Sequence, residues 1–169
     1  MKIIIPQNIL SLKNTKLKKN ISTSKYKIKI INSKETYSVR HSILRKGKPF
    51  ESCVFDGDDF VTTIHLGIFI KENLIGTCSF FKNINPNILE TPQYQLRGMA
   101  VLKPFQGKGL GEFILRHGEV LLKEKNTKII WCNARENAVH FYKKNAYQII
   151  GEPFNIKDIG LHKLMYKAL

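Results

Sequence analysis

The densest chemistry in the chain lies between positions 99 and 111, Met-Ala-Val-Leu-Lys-Pro-Phe-Gln-Gly-Lys-Gly-Leu-Gly. An apolar strand runs into a glycine-rich turn, and the turn opens a helix. Gly107, Gly109 and Gly111 leave the backbone uncovered, so successive N–H groups can converge on one anion. The helix start adds its unpaired donors and the positive end of its dipole, and Lys108 adds a charge. A phosphate or pyrophosphate is the ligand such a cradle demands. A nucleotide P-loop requires Gly-Lys-Ser/Thr after a four-residue gap, which is absent. The dinucleotide motif requires G-x-G-x-x-G and an acid at the end of the next strand. Here the glycines run G-x-G-x-G, and the next strand ends Trp131-Cys132-Asn133. The remaining pattern, Gln/Arg-x-x-Gly-x-Gly/Ala, is met by Gln106, Gly109 and Gly111. A glycine-rich turn without a ligand is the alternative.

The other chemistry-bearing residues are scattered. His65 and His162 fall on strands, where a lone histidine is more often structural than catalytic. His41, His117 and His140 fall on helices and read as surface or packing residues. None forms a metal-ligand spacing, so no metal is expected. Cys53, Cys78 and Cys132 are odd in number and form no CxxC pair. That argues against a disulfide framework and a zinc finger and fits a reducing cytoplasm, and Cys132 reads as a packing residue. Glu51, Asp56, Asp58 and Asp59 form the one dense acidic cluster, which reads either as a rim for a cationic ligand or as a solvated loop with capping and turn acids.

The elements that must hold these residues follow from the hydrophobic pattern. YKIKII from Tyr26 alternates as a strand. Ser33 to Arg45 reads as a helix with Ser33 as its N-cap, and residues 46–60 as a loop. TTIHLGIFI and LIGTCSFFK read as an antiparallel pair turning at Glu72-Asn73, and YQLRGMAVL as a further strand. Gly109 to Lys125 is a long amphipathic helix, KIIWCN a short buried strand, and Arg135 to Asn145 a second helix. YQII and HKLMYKAL close the chain as strands. Three consecutive strands joined by short turns exclude an all-parallel sheet. A mixed sheet with packed helices follows.

The chain has 169 residues, enough for one domain with a sizeable core. Its formal charge of +15 invites a nucleic-acid reading. Two features weaken it. Eight of those charges are lysines within residues 1–29, which hold no acid, and the base is Lys (23) rather than Arg (5), the residue that forks phosphates and reads bases. No apolar run reaches the length of a membrane helix. Pro6 and Gln7 interrupt the apolar start, so no signal peptide is expected. Residues 1–24 read as a basic appendage and residues 25–169 as a single domain.

Beyond composition and spacing, the motifs at Gln106, Gly109 and Gly111 resemble the acetyl-CoA loop of the GNAT superfamily of N-acetyltransferases. Leu96-Arg-Gly-Met-Ala-Val101 looks like that family's strand 4. Ala134-Arg-Glu-Asn-Ala-Val-His-Phe-Tyr-Lys-Lys-Asn-Ala-Tyr147 resembles its A-x-x-F-Y-x-x-x-G-F/Y segment, with Ala138, Phe141, Tyr142 and Tyr147 in place. With the run Gly151 to Met165, the likeness is to the ElaA-like or YjcF-like small bacterial branch. It covers about residues 26–169. It implies an α/β (α+β) fold with a mixed sheet of about seven strands, splayed between strands 4 and 5 and flanked by about four helices. Acetyl-CoA would lie in the split.

The resemblance also implies roles. Met99, Ala100, Val101, Gln106, Gly107, Lys108, Gly109, Leu110, Gly111, Glu112, Asn137 and Tyr142 would contact acetyl-CoA. A backbone N–H near Met99 or Val101 would face the thioester carbonyl. Tyr142 would protonate the departing thiolate, and His162 is the candidate base. Glu51, Asp58 and Asp59, with His65 and Arg97, would border the acceptor site, and the acids would draw a cationic amine. Two departures stand out. Arg135 occupies a position where many relatives have Asn. Asn145-Ala146 replaces the usual Gly, so a left-handed Asn145 is expected to cap the helix. The activity implied is transfer of an acetyl group to a primary amine, with small-molecule or protein amines as acceptors and a homodimer possible. A non-catalytic acyl-CoA-binding module of the same fold is the alternative. A nucleic-acid binder using the lysine arm is a weaker one.

Overall fold

The structure is a computed structural model that describes residues 25–169, so the basic segment 1–24 lies outside the described residues. Strand β1 (Tyr26–Ile31) leads into helix α1 (Ser33–Leu44). Asn32, not Ser33, caps that helix. Its side chain accepts from the Glu35 N–H at 3.1 Å, and the Glu35 carboxylate accepts from the Asn32 N–H at 2.8 Å, a reciprocal capping box. Ser33 is instead the first helical residue, and its hydroxyl donates to Asp59. A 3-10 turn (Phe50–Cys53) follows. Strands β2 (Ile64–Ile70), β3 (Asn73–Lys82) and β4 (Gln93–Val101) come next. The β2–β3 turn falls at Lys71-Glu72, one residue earlier than the sequence pattern places it, and Lys71 takes the left-handed conformation there.

Helix α2 (Leu110–Glu124) crosses from β4 to β5 (Ile129–Arg135). Its apolar face buries Leu110, Ile114, Leu115 and Leu122. A short helix α3 (Val139–Lys144) and the hairpin β6 (Gln148–Ile156) and β7 (Gly160–Ala168) complete the chain. Arg135 ends β5 rather than opening a helix, and a 3-10 turn (Glu136–Ala138) separates it from α3. The left-handed residue after α3 is Ala146 at φ 66°. Asn145 keeps φ at −96° and its side chain donates to the Phe141 carbonyl. The capping geometry therefore sits one residue later than expected.

The seven strands form one sheet in the order β1-β2-β3-β4-β5-β7-β6. Only β4 and β5 are parallel, and they pair over just Gln93–Gln95 and Ile129–Trp131. Beyond Gln95 they part, and this opening is what positions the site. A β-bulge drives the parting. Thr77 faces Ala100 and Ser79 faces Arg97, so β4 carries one residue more than β3 between those pairs. Bulges bend a strand and increase its twist. Gly98 sits in the bulge at φ 61°, and a Cβ there would lie 2.8 Å from Arg40 Nε and 3.1 Å from the Phe55 ring. Only glycine fits both the conformation and the space. The core between sheet and α2 centres on Leu66, Ile68, Phe80, Ile114, Leu115, Ile130 and Met165, all fully buried.

Candidate active site

The parted strands open a cleft of about 1060 Å³. Its floor is the edge of β4, and the glycine loop forms one end. Leu102 donates its N–H to Ile75 on β3 at 2.8 Å. By the period of two, the N–H and C=O of Val101 point the other way, into the cleft. The Val101 carbonyl there accepts from Gln106 Nε2 at 2.7 Å. Gln106 thus takes the place that a β5 partner would fill, and it ties the glycine loop back to the strand. Gly107 and Gly109 hold φ of 72° and 78°, and Gly109 is the N-cap of α2. No atom outside the adjoining residues approaches within 4 Å of where a Gly107 Cβ would stand. The turn is open, with the first N–H groups of α2 behind it, and that fits an anionic ligand.

Most residues singled out from sequence converge here. Met99, Ala100, Val101, Gln106, Gly107, Gly109, Leu110, Gly111, Glu112, Asn137, Tyr142, His162 and Arg97 all line the cleft. Lys108 does not. Its ammonium turns back onto the Pro104 carbonyl at 2.9 Å and over the Phe105 ring.

Tyr142 is held by α3 with its ring against Phe141 and Tyr147. Its hydroxyl donates to Met99 Sδ at 3.8 Å and also lies by the Cys132 thiol. Burial, with the Cys132 and Cys78 thiols nearby, raises its pKa well above the ordinary phenol value, so it keeps its proton across the physiological range. His162 lies on β7 opposite Arg135. Its Nδ1 is 2.7 Å from the Gly160 carbonyl. A carbonyl only accepts, so Nδ1 carries the hydrogen and the neutral ring's lone pair is on Nε2.

The four residues expected to rim the acceptor site are arranged differently. Glu51, Asp58, Asp59 and His65 are absent from the cleft walls. Asp58 is 4% exposed. It receives Arg40 Nη1 at 2.7 Å and Nη2 at 2.9 Å, and the Phe55 N–H at 2.8 Å. Arg40, fully buried, also donates to the Cys53 carbonyl and to Ser79 Oγ. Asp58 is thus a structural counter-ion, because a buried guanidinium needs one. The pair folds the 50–63 segment onto the sheet. Asp59 remains exposed and accepts from Ser33 Oγ, and Glu51 is exposed on the 3-10 turn.

His65 belongs to the same buried network. Its Nε2 lies 2.8 Å from the Asp58 carbonyl and its Nδ1 2.7 Å from Ser79 Oγ. Nε2 must therefore donate, and in the neutral ring Nδ1 accepts from Ser79. Burial is the main cause that lowers its pKa, opposed by the bond to the Asp58 carbonyl. Protonation would set a second cation beside Arg40. Burial also lowers His117. Below the ordinary imidazole value of 6.5 the unfolded chain takes up protons that the folded chain refuses. Stability is therefore greatest above that pH and falls as the pH drops through it toward the folded-state values. Urea unfolding at about pH 7.5 and 5.5 should give the smaller free energy at the lower pH. The double variant His65→Gln, His117→Gln should flatten the slope, and an unchanged slope would reject this account.

Sequence reasoning missed Arg45 as a site residue and treated Arg135 only as a departure from a pattern. Both line the cleft. Neither carries a local signal, since Arg45 arrives there because α1 packs across β4.

The Acetyltransferase (GNAT) family model matches residues 30–147. The chain is 37% identical over 142 residues to the uncharacterised N-acetyltransferase YitI of Bacillus subtilis, covering 84% of this chain and 95% of that protein. The chain belongs to the GNAT family of acetyltransferases, whose general reaction is acetyl transfer to an amine. The fold is shared with Escherichia coli ElaA at a TM-score of 0.66 and 12% identity, over 84% of this chain and 99% of that one. It is also shared with an aminoglycoside 6′-N-acetyltransferase solved with coenzyme A, at a TM-score of 0.67 and 11% identity, over 84% and 96%. Among the described residues no helix is long and apolar enough to cross a membrane.

Proposed function

We propose that the protein is an acetyl-CoA-dependent N-acetyltransferase that acts on a primary amine by direct attack. The observation that carries this reading is the parting of β4 from β5 after only three register pairs. It leaves the β4 edge, the glycine loop and Tyr142 facing one cleft. The coenzyme A complex of a fold neighbour supports the donor.

The pyrophosphate of the donor would meet the N–H groups of the Gly107–Gly111 turn and the α2 N-terminus. Bound acetyl-CoA supplies an electrophilic thioester carbonyl. The Val101 or Met99 N–H on the open edge of β4 is placed to donate to that oxygen as negative charge develops on it. His162 Nε2, directly or through a water, is the candidate acceptor for the amine proton. Tyr142, protonated and lightly engaged, is the donor for the leaving sulfur. Arg97 lies beside this constellation on β4.

Incubation with acetyl-CoA and pooled primary amines should release CoA thiol in an amine-dependent manner. Binding of acetyl-CoA without such release would identify a non-catalytic acyl-CoA-binding module instead. The glycine loop has its own test. Gly109→Val places a β-branched residue at φ 78°, which L-residues resist, and so displaces the converging donors. The Kd for CoA, measured by calorimetry, should rise at least about tenfold. Retained affinity would remove the loop from the binding site.

A further inference from the structure

The wall of the cleft away from the glycine loop is cationic. Arg45, Arg97 and Arg135 line it, and each is half-buried. They come from three elements: the C-terminal end of α1, the β4 bulge and the end of β5. Phe55 gathers two of them, with Arg97 Cζ at 4.7 Å and Arg45 Cζ at 5.4 Å from its ring centre. Arg45 Nη1 and Arg135 Nη2 converge on one carbonyl, that of Leu44, at 3.2 and 3.0 Å.

These guanidinium groups form no contact ion pair among the described residues, although the Asp58 and Asp56 charges reach Arg97 at longer range. Among the described residues no carboxylate lies within 4.0 Å of any of the three, and residues 1–24 contain no Asp or Glu. Their hydrogen bonds go to backbone carbonyls alone: Arg45 to Ser52 and Leu44, Arg97 to Asp56, and Arg135 to Leu44. Asp58, the nearest buried acid, has both oxygens engaged by Arg40. The one carboxylate in the cleft wall, Glu112, sits at the glycine-loop end and pairs with Arg116. Burial and then the Arg135 charge depress the pKa of Arg45. Burial also depresses that of Arg97, opposed first by the Asp58 charge and then by Asp56, with Arg40 and Arg45 adding to the depression. Guanidinium stays charged regardless, so the site carries an unmet positive potential.

We propose that the amine acceptor carries an oxyanion, a carboxylate or a phosphate, that docks on Arg45, Arg97 and Arg135. The proposal rests on the acetyltransferase reading and names the acceptor class for it. The phosphates of the donor do not account for the cluster. Arg97 stands four residues before Val101 on β4, roughly 12–13 Å of strand, and the glycine loop lies beyond Val101. Planar guanidinium forks suit carboxylate and phosphate oxygens. The acceptor would be anionic at one end and would present its amine to the thioester at the other. The amine nitrogen forms the new C–N bond, the C–S bond breaks, the amine proton leaves to the base, and CoA departs as the thiol. The oxyanion takes no part in bond making.

Matched acceptor pairs test this with acetyl-CoA as donor: L-amino acids against their amides, and glucosamine 6-phosphate against glucosamine, with spermidine as a polycation. The anionic member of the productive pair should show a kcat/KM at least about tenfold higher, or about 1.4 kcal/mol. Which pair responds separates carboxylate from phosphate. Arg97→Gln should lower that value about tenfold for the anionic member and by less than about threefold for its neutral partner. Preference for amides or spermidine, or equal losses in Arg97→Gln, would overturn the proposal.

Calorimetry adds a readout independent of turnover. Succinate and inorganic phosphate are titrated into CoA-saturated protein, whose glycine loop is then filled. Wild type should bind one of them, and the triple variant Arg45→Gln, Arg97→Gln, Arg135→Gln should bind it at least about tenfold more weakly. Equal binding, or none by wild type, would overturn the proposal. If the protein fails to bind CoA, the acetyltransferase reading falls, and the anion titration is read on the free protein.

Discussion

Tyr142→Phe is expected to lower kcat by about a hundredfold or more, while the Kd for acetyl-CoA stays within about twofold of wild type. The ring supplies packing against Phe141 and Tyr147, and phenylalanine keeps it. Only the hydroxyl is lost, and its neighbours are weak sulfur partners, Met99 Sδ at 3.8 Å and the Cys132 thiol. A sulfur acceptor contributes little to stability, so the variant should fold and melt like wild type. Any fall in turnover then reports proton donation to the leaving sulfur. The high pKa of the buried phenol sharpens the expectation. A group that keeps its proton through neutral pH puts no limb of its own on the pH–rate profile there, and the remaining limb should belong to the base. Turnover equal to wild type would make Tyr142 a packing residue, and the leaving thiolate would then take its proton from water.

Asp58→Asn is expected to destabilise the fold by about 3–5 kcal/mol. The substitution preserves shape and removes the charge that faces fully buried Arg40. An uncompensated guanidinium in that position is the costly outcome, far more than the absence of the pair would be. Domains are stable by about 5–15 kcal/mol in total, so the variant should be marginal. For a domain of this size the melting temperature should fall by roughly 6–20 °C. Arg40→Met combined with Asp58→Asn should recover part of the loss, because the isolated charge is gone. Asp59→Asn should have a smaller effect, since Asp59 is exposed and bonds to Ser33 alone. If Asp58→Asn melts with wild type and instead raises KM for an amine, the buried-pair account is wrong. The acidic rim expected from sequence would then return.

The consequence for function runs through Phe55. Arg40 Cζ lies 4.1 Å from that ring, and Asp58 accepts the Phe55 N–H. The ion pair therefore seats the aromatic side chain against which Arg45 and Arg97 lie. Loss of Asp58 should loosen the cationic wall as well as the fold.

The glycine loop was legible from sequence because its chemistry is local. Consecutive N–H groups and a helix start within Gly107–Gly111 depend only on neighbours in the chain. The alternation of apolar residues likewise determined the strands and the mixed sheet, and the likeness at Leu96–Val101 and Ala134–Tyr147 placed the cleft between β4 and β5. Tertiary structure decided the rest, because the deciding partners are remote in sequence. A row of acids in a loop reads the same whether it faces water or a buried cation. Asp58 became a counter-ion through Arg40, and His65 a structural residue through Ser79 and the Asp58 carbonyl. The bulge at Gly98 left no mark on the apolar pattern, yet it turns β4 away from β5. Sequence pointed to an anion-binding cradle at the glycine loop. Only the packing of α1 and the 50–63 segment onto the sheet revealed a cationic wall at the other end, because three arginines from three elements line it and, among the described residues, no carboxylate pairs with them.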